Sequence, residues 1–461
     1  MTSLEELKNE RLKKLKILTE KGVNAYPVTV QRDVTIQEAR EKFQKLSRRK
    51  KPLFLVGRII RLRAQGGLVF FDLTDGTGTF QGLLKKNETD SDTFHDFTNL
   101  VDVGDFIETS GTFFITKKGE QTILVKHWRI LGKSLRPLPE KWYGLKDVEE
   151  KFRKRYVDIL MSEEARGRFF LRSRMIQALR HLLDGQGFLE VETPTLQPLY
   201  GGASALPFVT HHRALDVDLY LRISNELYLK RLLIGNFPKV YEIYKAFRNE
   251  GIDVTHYPEF TMIEFYESYS NATLQMEFVE HLLQNLIKKL FKKSLFTFQN
   301  NTIDISKSFK RVSYFSVLAQ YALFPKIHEA SHEELFLKAQ QLGASAKETD
   351  NKEKILDAIF KKTCRPKIIQ PTFITDYPLH ALPLAKKKEG GENLVDAFQL
   401  VIGGMELAKG FSELNDPIDQ RERFLEQEKN VAKGDLESQK IDEDFIEALE
   451  YGMPPAGGVG I

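Results

Sequence analysis

Leucines at helical intervals dominate the first 22 residues of the chain. Ser3 and Glu6 stand in the spacing of a capping box, and Gly22 marks the expected end, so the pattern predicts an amphipathic helix. The apolar stripe consists of Leu4, Leu7, Leu12, Leu15 and Leu18. The opposite face carries Lys8, Arg11, Lys13 and Lys14. A basic face of this kind is compatible with RNA phosphates or with plain solvent, and the pattern leaves both open.

Between residues 54 and 131 the hydrophobic pattern changes to the alternation of short strands. Strands are predicted at 54–63, 69–73, 80–84, 106–115 and 121–130. Turns such as Gly66-Gly67 and Asp75-Gly76 separate them. Five strands in about 80 residues are typical of a small closed barrel of the OB type. We therefore assign 51–135 to this barrel and 1–50 to a basic, helical N-terminal extension.

Longer elements follow a linker that contains prolines, which we place at 136–160. Helices are predicted at 162–185, 274–291 and 443–451, and strands at 188–192, 240–247, 259–266 and 397–402. Strands joined by turns or long insertions, with helices grouped outside, favour an antiparallel sheet over a doubly wound one. The expected fold class is therefore α+β, with the sheet domain spanning 161–461.

Composition narrows the class of protein further. Hydrophobic residues make up 41% and charged residues 29%, as in a globular protein, and no apolar run reaches the roughly 20 residues that cross a bilayer. The first residues contain no secretory or transit signal, so we expect a cytoplasmic location and no membrane partner. Cys364 is the single cysteine, which excludes an intrachain disulfide. Any metal must therefore be held by oxygen or imidazole ligands.

The stretch 239–266 combines two strands with polar side chains in unusual positions. Arg248 ends the first strand, and His256 lies in the polar loop that follows. One face of the second strand carries Phe260, Met262, Glu264 and Tyr266. A carboxylate and a phenol at alternate positions indicate a wet or ligand-filled cavity. A strand half exposed to solvent is the alternative.

Residues 247–266 resemble motif 2 of class II aminoacyl-tRNA synthetases in its lysyl version; they read FRNEGIDVTHYPEFTMIEFY. The resemblance implies that Arg248 is the catalytic residue, because a guanidinium offers a planar donor fork to the ATP α-phosphate and the amino-acid carboxylate. It also implies that Glu250 accepts from the adenine amino group, that Phe260 stacks on the ring, and that His256 contacts ATP.

The same resemblance implies a pocket for lysine, with the side-chain ammonium at Glu264 and Tyr266. Burying an unpaired ammonium costs several kcal/mol, so such a pocket needs a carboxylate at its end. Gly202 and Glu226 lie in segments similar to those that contact the substrate α-amine. Without the resemblance, the first would be an ordinary turn residue and the second an ordinary acid at a helix start.

A second similar segment reads GGMELAKGFSELND, at residues 403–416. The resemblance implies that Glu406 and Glu413 bind Mg²⁺ beside ATP, with Glu406 also an ATP ligand, and that Asn415 helps to hold lysine. Mg²⁺ suits this set because it needs only one or two carboxylates in addition to phosphate oxygens and water. Taken alone, the two acids are equally compatible with unrelated surface positions.

Two further segments resemble the family. FLEVETP, at residues 188–194, is similar to motif 1, which implies a homodimer. The barrel resembles the anticodon-binding domain, with Phe70 stacked on a base and Arg63 and Gln81 reading base edges and backbone. Phe70 could instead belong to the barrel core.

The activity implied by the resemblance is ATP-dependent activation of lysine followed by transfer to tRNA(Lys). Aspartyl- or asparaginyl-tRNA synthesis is the nearest enzymatic alternative, although an aspartate pocket wants a cation where this chain has Glu264. A non-catalytic RNA-binding paralogue is another, because YGMPPAGGVGI at 451–461 looks like the beginning of motif 3 and the sequence stops before the arginine expected there. Without that arginine we expect a crippled enzyme; a chain that continues through it should be active.

Overall fold

The computed structural model describes residues 3–49, 51–139, 147–253, 255–391, 393–432 and 440–461. The chain divides into two units, Met1–Phe169 and Phe170–Ile461. The strands of the first unit are β1 (Leu53–Gln65), β2 (Leu68–Thr74), β3 (Thr79–Lys85), β4 (Phe106–Ile115) and β5 (Gln121–Gly132). Its helices are α1 (Leu4–Glu20), α2 (Ile36–Glu41), α3 (Phe43–Ser47), α4 (Ser91–Leu100), α5 (Val148–Arg153) and α6 (Arg155–Met161).

Among the described residues, β1–β5 close into a barrel in the order β1-β2-β3-β5-β4. The β3–β5 pair is parallel and the other pairs are antiparallel. Alternation in β1 buries Leu53, Leu55 and Ile59 inside the barrel. The predicted OB-type barrel is confirmed, and each predicted strand lies within two residues of the observed ends.

The barrel core also takes in helices that the sequence pattern did not assign to it. Ile36 in α2 and Phe43 in α3 are buried with the barrel strands, so part of the predicted extension packs against the barrel. Helix α4 was not predicted from the sequence, although Asp90 caps it by accepting from the Thr93 amide at 3.0 Å. The predicted linker contains α5 and α6 where it is described; residues 140–146 lie outside the described part.

The capping box that predicted α1 is present. The Glu6 carboxylate accepts from the Ser3 amide at 2.6 Å, and the Ser3 hydroxyl accepts from the Glu6 amide at 3.2 Å. Two residues of the predicted basic face of α1 do not face RNA or solvent but contact the protein. Arg11 is buried and donates to the Ser134 carbonyl at 2.8 Å, and Lys14 pairs with Asp102 at 2.6 Å. These cations tie α1 to the barrel unit.

Helix α7 (Glu163–Asp184) spans the boundary between the units, and the remaining elements belong to the second. The strands are β6 (Leu189–Glu190), β7 (Leu196–Gln197), β8 (Val209–His212), β9 (Val217–Leu221), β10 (Lys239–Phe247), β11 (Glu259–Ser268), β12 (Leu295–Phe298), β13 (Asn301–Asp304), β14 (Lys310–Ser313), β15 (Thr372–Pro378), β16 (Leu394–Ile402), β17 (Met405–Ser412) and β18 (Ala456–Gly460). The helices are α8 (Glu226–Ile234), α9 (Ala272–Phe291), α10 (Tyr314–Tyr321), α11 (His332–Gln341), α12 (Lys352–Ile359), α13 (Pro417–Ala432) and α14 (Glu443–Glu450).

In the described part of the second unit, eight strands form one sheet in the order β14-β15-β16-β17-β18-β11-β10-β6. The two outermost pairs, β14–β15 and β10–β6, are parallel, and every pair between them is antiparallel. This sheet, flanked by helices, confirms the expected α+β class. None of the described helices is long and apolar enough to span a membrane.

The central strands place apolar residues on one face and polar ones on the other. Ile263 and Phe265 of β11 pack with Val279 of α9 in one hydrophobic core cluster. The residues between them, Glu264 and Tyr266, therefore point to the opposite face. Side chains alternate in the same way along β10, so that Tyr244 reaches the polar face of the sheet while Tyr241 packs in the core.

Candidate active site

Glu264 lies at the centre of the polar face and is only 4% exposed. Three hydroxyl groups of the described residues donate to its carboxylate. Oε1 accepts from Tyr244 at 2.5 Å and from Ser224 at 3.0 Å, and Oε2 accepts from Tyr266 at 3.0 Å. Burial and the nearby Glu226 charge raise the pKa of Glu264 to about 7, against the lowering effect of these donors. In the described chain no lysine or arginine pairs with this carboxylate, which leaves it open to an external cation.

Chain conformation brings these groups together from three segments. Antiparallel pairing sets Tyr244 of β10 opposite Met262 of β11, one step along the face from Glu264. Ser224 precedes α8 and reaches the same carboxylate. Gly202, at φ +85°, lies against this segment, and a Cβ there would meet the Ser224 hydroxyl at 2.8 Å and the Glu226 Cβ at 3.0 Å. Only glycine allows so close an approach.

A buried ammonium, Lys230, lies between two further carboxylates. Its Nζ is 2.7 Å from Glu226 and 2.5 Å from Glu413, and its side chain is fully buried. Burial opposes the charge of Lys230, but the two carboxylates outweigh it and raise its pKa. Burial raises the pKa of Glu226 and of Glu413, although Lys230 works against the shift. Lys230 was not predicted from the sequence, although its i,i+4 spacing from Glu226 on α8 was a usable signal.

The charges of this cluster do not balance. Among the described residues, the nearly buried carboxyls of Glu226, Glu264 and Glu413 lie close to one another, and Lys230 pairs with Glu226 and Glu413 but not with Glu264. The four groups carry a net charge of −2 when all are ionised. Buried unpaired charge is costly, which is why the carboxyl pKa values rise. Binding of a ligand with positive charge would relieve that cost.

Arg248 lies in the same cleft, and no described carboxylate neutralises its charge. Its guanidinium stacks over the Phe260 ring at 5.2 Å, and Nη2 is 4.0 Å from the Met262 sulfur. That sulfur is 3.6 Å from the Tyr244 hydroxyl, which bonds to Glu264. Within the described ranges no carboxylate pairs with Arg248, and its buried Nε has no partner. A cationic donor fork and an anionic pocket therefore share one cleft, as the sequence predicts.

The loop after β10 keeps two predicted ATP residues away from this cluster. Glu250 and His256 are exposed, and the His256 ring bonds to Asp253 at 2.8 Å. The Thr255 amide and hydroxyl, with His256, hold the pKa of Asp253 well below its usual range. The described contacts of Glu250 and His256 stay within the loop, so the structure does not bring them to Arg248 by side-chain contact.

Glu406 and Glu413 do not meet. The pairing of β16 with β17 shifts between Leu400 and Val401, so that Leu407 is an extra residue, and this bulge puts Glu406 on the same face as Lys409. Glu406 nevertheless stands about 20 Å from Glu413, at roughly 3.3 Å per residue of strand. Magnesium ligands lie about 2 Å from the ion, so the two carboxylates are too far apart to bind one ion in this structure. The prediction that they share an ion is therefore wrong.

Asn415 is held by the protein itself. Its Oδ1 accepts from Lys386 at 2.8 Å, and its Nδ2 donates to the Met453 carbonyl at 2.9 Å. Both ends of the Asn415 amide therefore form hydrogen bonds within the protein, and neither of these bonds is to Glu264.

The barrel residues predicted to read RNA share one outer surface. Phe70 is half-buried while its neighbours Val69 and Phe71 are in the core, so it does not belong to the core. It pairs directly with the exposed Arg63. Gln81, on the adjacent strand, accepts from the Thr122 hydroxyl at 2.8 Å. Strands β1, β2 and β3 therefore present these side chains side by side.

Comparison with known families agrees with both units. Residues 147–461 match the family described as tRNA synthetases class II (D, K and N). The chain belongs to this family. Residues 54–131 match the OB-fold nucleic acid binding domain, as the barrel topology requires. The recognition of a class II synthetase with an OB-type barrel is confirmed.

Relatives narrow the subgroup within the family. The lysine–tRNA ligase of Carboxydothermus hydrogenoformans is 44% identical over 99% of this chain and 93% of its own length. That of Pelotomaculum thermopropionicum is 44% identical over 99% and 90%. That of Methanoculleus marisnigri is 44% identical over 98% and 89%. The chain therefore belongs with the lysine–tRNA ligases inside the class II synthetases.

Proposed function

We propose that this chain activates L-lysine with ATP and transfers the lysyl group to tRNA(Lys). Membership of the family and the names of the relatives support this activity. The single observation that carries the choice of amino acid is Glu264, a buried carboxylate that accepts from three hydroxyls and has no cationic partner among the described residues. A lysine side chain supplies the missing charge.

The residue roles follow from the cleft. The lysine ammonium pairs with Glu264 and Tyr266, the α-amine lies toward Glu226 and Gly202, and the carboxylate lies toward Arg248. The lysine carboxylate oxygen attacks the α-phosphorus of ATP, and the bond from that phosphorus to the bridging oxygen breaks, which releases pyrophosphate. The terminal ribose hydroxyl of the tRNA then attacks the adenylate carbonyl and displaces AMP.

Arg248 stabilises the charge that develops at the α-phosphate because its fork is fixed before the reaction. Stacking on Phe260 and contact with the Met262 sulfur hold the guanidinium, so little reorganisation is needed. The adenine would share the Phe260 surface. We also propose Glu250, His256 and Asn415 as substrate ligands. For Glu250 and His256 the loop after β10 has to rearrange on binding, and for Asn415 its present hydrogen bonds have to change.

A divalent ion accompanies ATP in this family, and we propose Mg²⁺. Glu406 fits as one oxygen ligand, because its carboxylate is partly exposed and the cation that pairs with it in the described part of the chain, Arg365, is 3.9 Å away. Glu413 forms an ion pair with Lys230, whose Nζ lies 2.5 Å from Oε2. Neither carboxylate oxygen of Glu413 has a hydrogen bond of good geometry among the described residues. A second ion there would have to displace Lys230. When bound, the ion neutralises phosphate charge.

For tRNA we propose that the barrel reads the anticodon through Arg63, Phe70 and Gln81. The boundaries that we propose are 51–135 for this barrel domain, after the 1–50 extension, and 161–461 for the catalytic domain, after the 136–160 linker. We also propose a homodimer through the motif 1 region, 188–194, and action in the cytoplasm, where ATP and tRNA are present.

The rival functions are less well supported. The family model covers aspartate and asparagine as well as lysine, so it does not decide between them. An aspartate side chain placed at Glu264 would add a fourth carboxylate to a cluster that is already too negative. Nothing in the comparisons favours a non-catalytic paralogue, because the relatives that match over almost the whole chain are lysine–tRNA ligases.

Amino-acid-dependent exchange of pyrophosphate into ATP tests the proposal on the complete protein. Lysine should support exchange, while aspartate and asparagine should leave it at background. Exchange with aspartate but not lysine would overturn the assignment. Absence of exchange with any amino acid, alongside tight tRNA binding, would favour the paralogue.

A further inference from the structure

We propose that Tyr244 is a direct ligand of the substrate's side-chain ammonium and restricts the pocket to primary amines. The inference rests on the proposed function, because it takes Glu264 to be the anchor of that ammonium. Tyr244 is not among the residues that the motifs indicated. It comes from β10, opposite the motif 2 strand, and only strand register brings it to the pocket.

Glu264 can accept only a limited number of hydrogen bonds. A carboxylate offers about four acceptor positions, two on each oxygen. Tyr244 and Ser224 occupy those of Oε1, and Tyr266 takes one of Oε2. One position on Oε2 is left for a ligand. A primary ammonium has three N–H groups, so two of them need acceptors other than Glu264.

Two hydroxyl oxygens meet that need. Tyr244 and Tyr266 each donate to Glu264. The Ser224 hydroxyl also lies within hydrogen-bonding reach of the Tyr244 oxygen, but its one proton goes to Glu264, so each phenol oxygen keeps an acceptor position. The third hydroxyl, that of Ser224, already accepts from the Glu226 amide at 3.1 Å. The ammonium therefore finds three acceptors: Oε2 of Glu264 and the oxygens of the two tyrosines.

Packing fixes the Tyr244 hydroxyl in place before a ligand arrives. The Arg222 guanidinium covers the Tyr244 ring at 4.6 Å, and Arg222 is itself held by Glu242 at 2.7 Å. Burial and the Glu264 charge raise the pKa of Tyr244 well above its usual value, so the phenol stays neutral and keeps donating to Glu264. A site with three fixed acceptors matches three N–H groups, and each N-methyl group on the amine leaves one acceptor unpaired.

The test is Tyr244→Phe, which removes only the hydroxyl. Tyr241→Phe is the matched control: Tyr241 is on the same strand but faces the other way, where its hydroxyl bonds to Asp184 at 2.8 Å. In lysine-dependent pyrophosphate exchange, Tyr244→Phe should raise KM for lysine about tenfold, as expected for loss of a hydrogen bond to a charged group, with kcat nearly unchanged. The preference for lysine over Nε-methyl-lysine should fall at the same time, whereas a merely structural role would leave that ratio unmoved.

Equal KM values and equal preference in Tyr244→Phe and Tyr241→Phe would overturn the inference. If Glu264→Gln still abolishes lysine-dependent exchange in that case, the proposed function stands and only the role of Tyr244 fails; if Glu264→Gln is also neutral, the proposed function fails. If Tyr244→Phe does not fold, the inference is tested on the wild-type protein with methylated lysines as substrates. Mono-, di- and trimethylation of the lysine amine should each lower kcat/KM, and a monomethyl substrate as good as lysine would refute the proposal.

Discussion

Replacement of Glu264 by glutamine removes the charge of the pocket while keeping its shape. The amide oxygen can still accept from Tyr244 and Ser224, the donors now seen at Oε1. The amide nitrogen would face Tyr266, whose hydroxyl can reverse and accept. We therefore expect the variant to fold, so that any loss of lysine binding reports on the charge.

The magnitude follows from burial. Glu264 is 4% exposed, so an ammonium placed beside it is removed from water and depends on this carboxylate. Loss of one partner of a buried ion pair costs about 3–5 kcal/mol, which corresponds to lysine binding weakened at least 100-fold. Isothermal titration of lysine into wild type and Glu264→Gln measures this directly.

Proton release gives the same experiment a second readout. With its pKa raised to about 7, Glu264 is half protonated in the free protein at pH 7, and only the ionised form pairs with an ammonium. Lysine binding should then release about 0.5 proton at pH 7 and about 0.1 at pH 8 from this group, and affinity should fall as the pH drops below 7. Titrations in buffers of different ionisation enthalpy count these protons.

The difference between wild type and variant isolates Glu264 from its neighbours, since Glu226 and Glu413 also have raised pKa values. Glu264→Gln should abolish the release assigned to Glu264. Equal affinity in the two proteins, or equal proton release, would refute the reasoning.

Three further changes test other parts of the structure. Gly458→Ala should raise KM for lysine more than tenfold in pyrophosphate exchange, because its Cβ would lie 2.1 Å from Glu413 Oε1 and 2.4 Å from the Tyr266 ring; an unchanged KM would contradict the packing. Lys230→Met should lower the free energy of unfolding by about 3–5 kcal/mol in denaturant titrations, since it strips the buried carboxylates of their cation; a stability equal to wild type would count against the cluster. Phe70→Ala should weaken tRNA binding by about 1–3 kcal/mol while exchange stays normal, and unaltered tRNA affinity would argue against the barrel surface.

Alternation explains why much of the site was predictable. Glu264 and Tyr266 point away from the helices because Ile263 and Phe265 point toward them, and a period of two carries that information in the sequence. Arg248 directly follows β10, and counting in steps of two from Tyr244 places it on the same face. The OB barrel was likewise predictable from five runs of alternation between turns.

Contacts between distant segments account for what the sequence left out. Tyr244 meets Glu264 through the pairing of β10 with β11, and Lys230 meets Glu413 across more than 180 residues of chain. No local pattern encodes either contact. The resemblance to the family implied that Glu406 and Glu413 bind one Mg²⁺ ion, but an extended strand keeps them apart. Arg11 looked like a surface cation because its carbonyl partners lie in a distant segment.

A crystal structure with lysine and ATP bound tests the central claim most directly. We predict that the lysine side-chain nitrogen lies about 3 Å from Glu264 Oε2 and from the Tyr266 hydroxyl, with the lysine carboxylate toward Arg248. A lysine whose ammonium lies outside this pocket, with Glu264 still bonded only to its three hydroxyls, would contradict it.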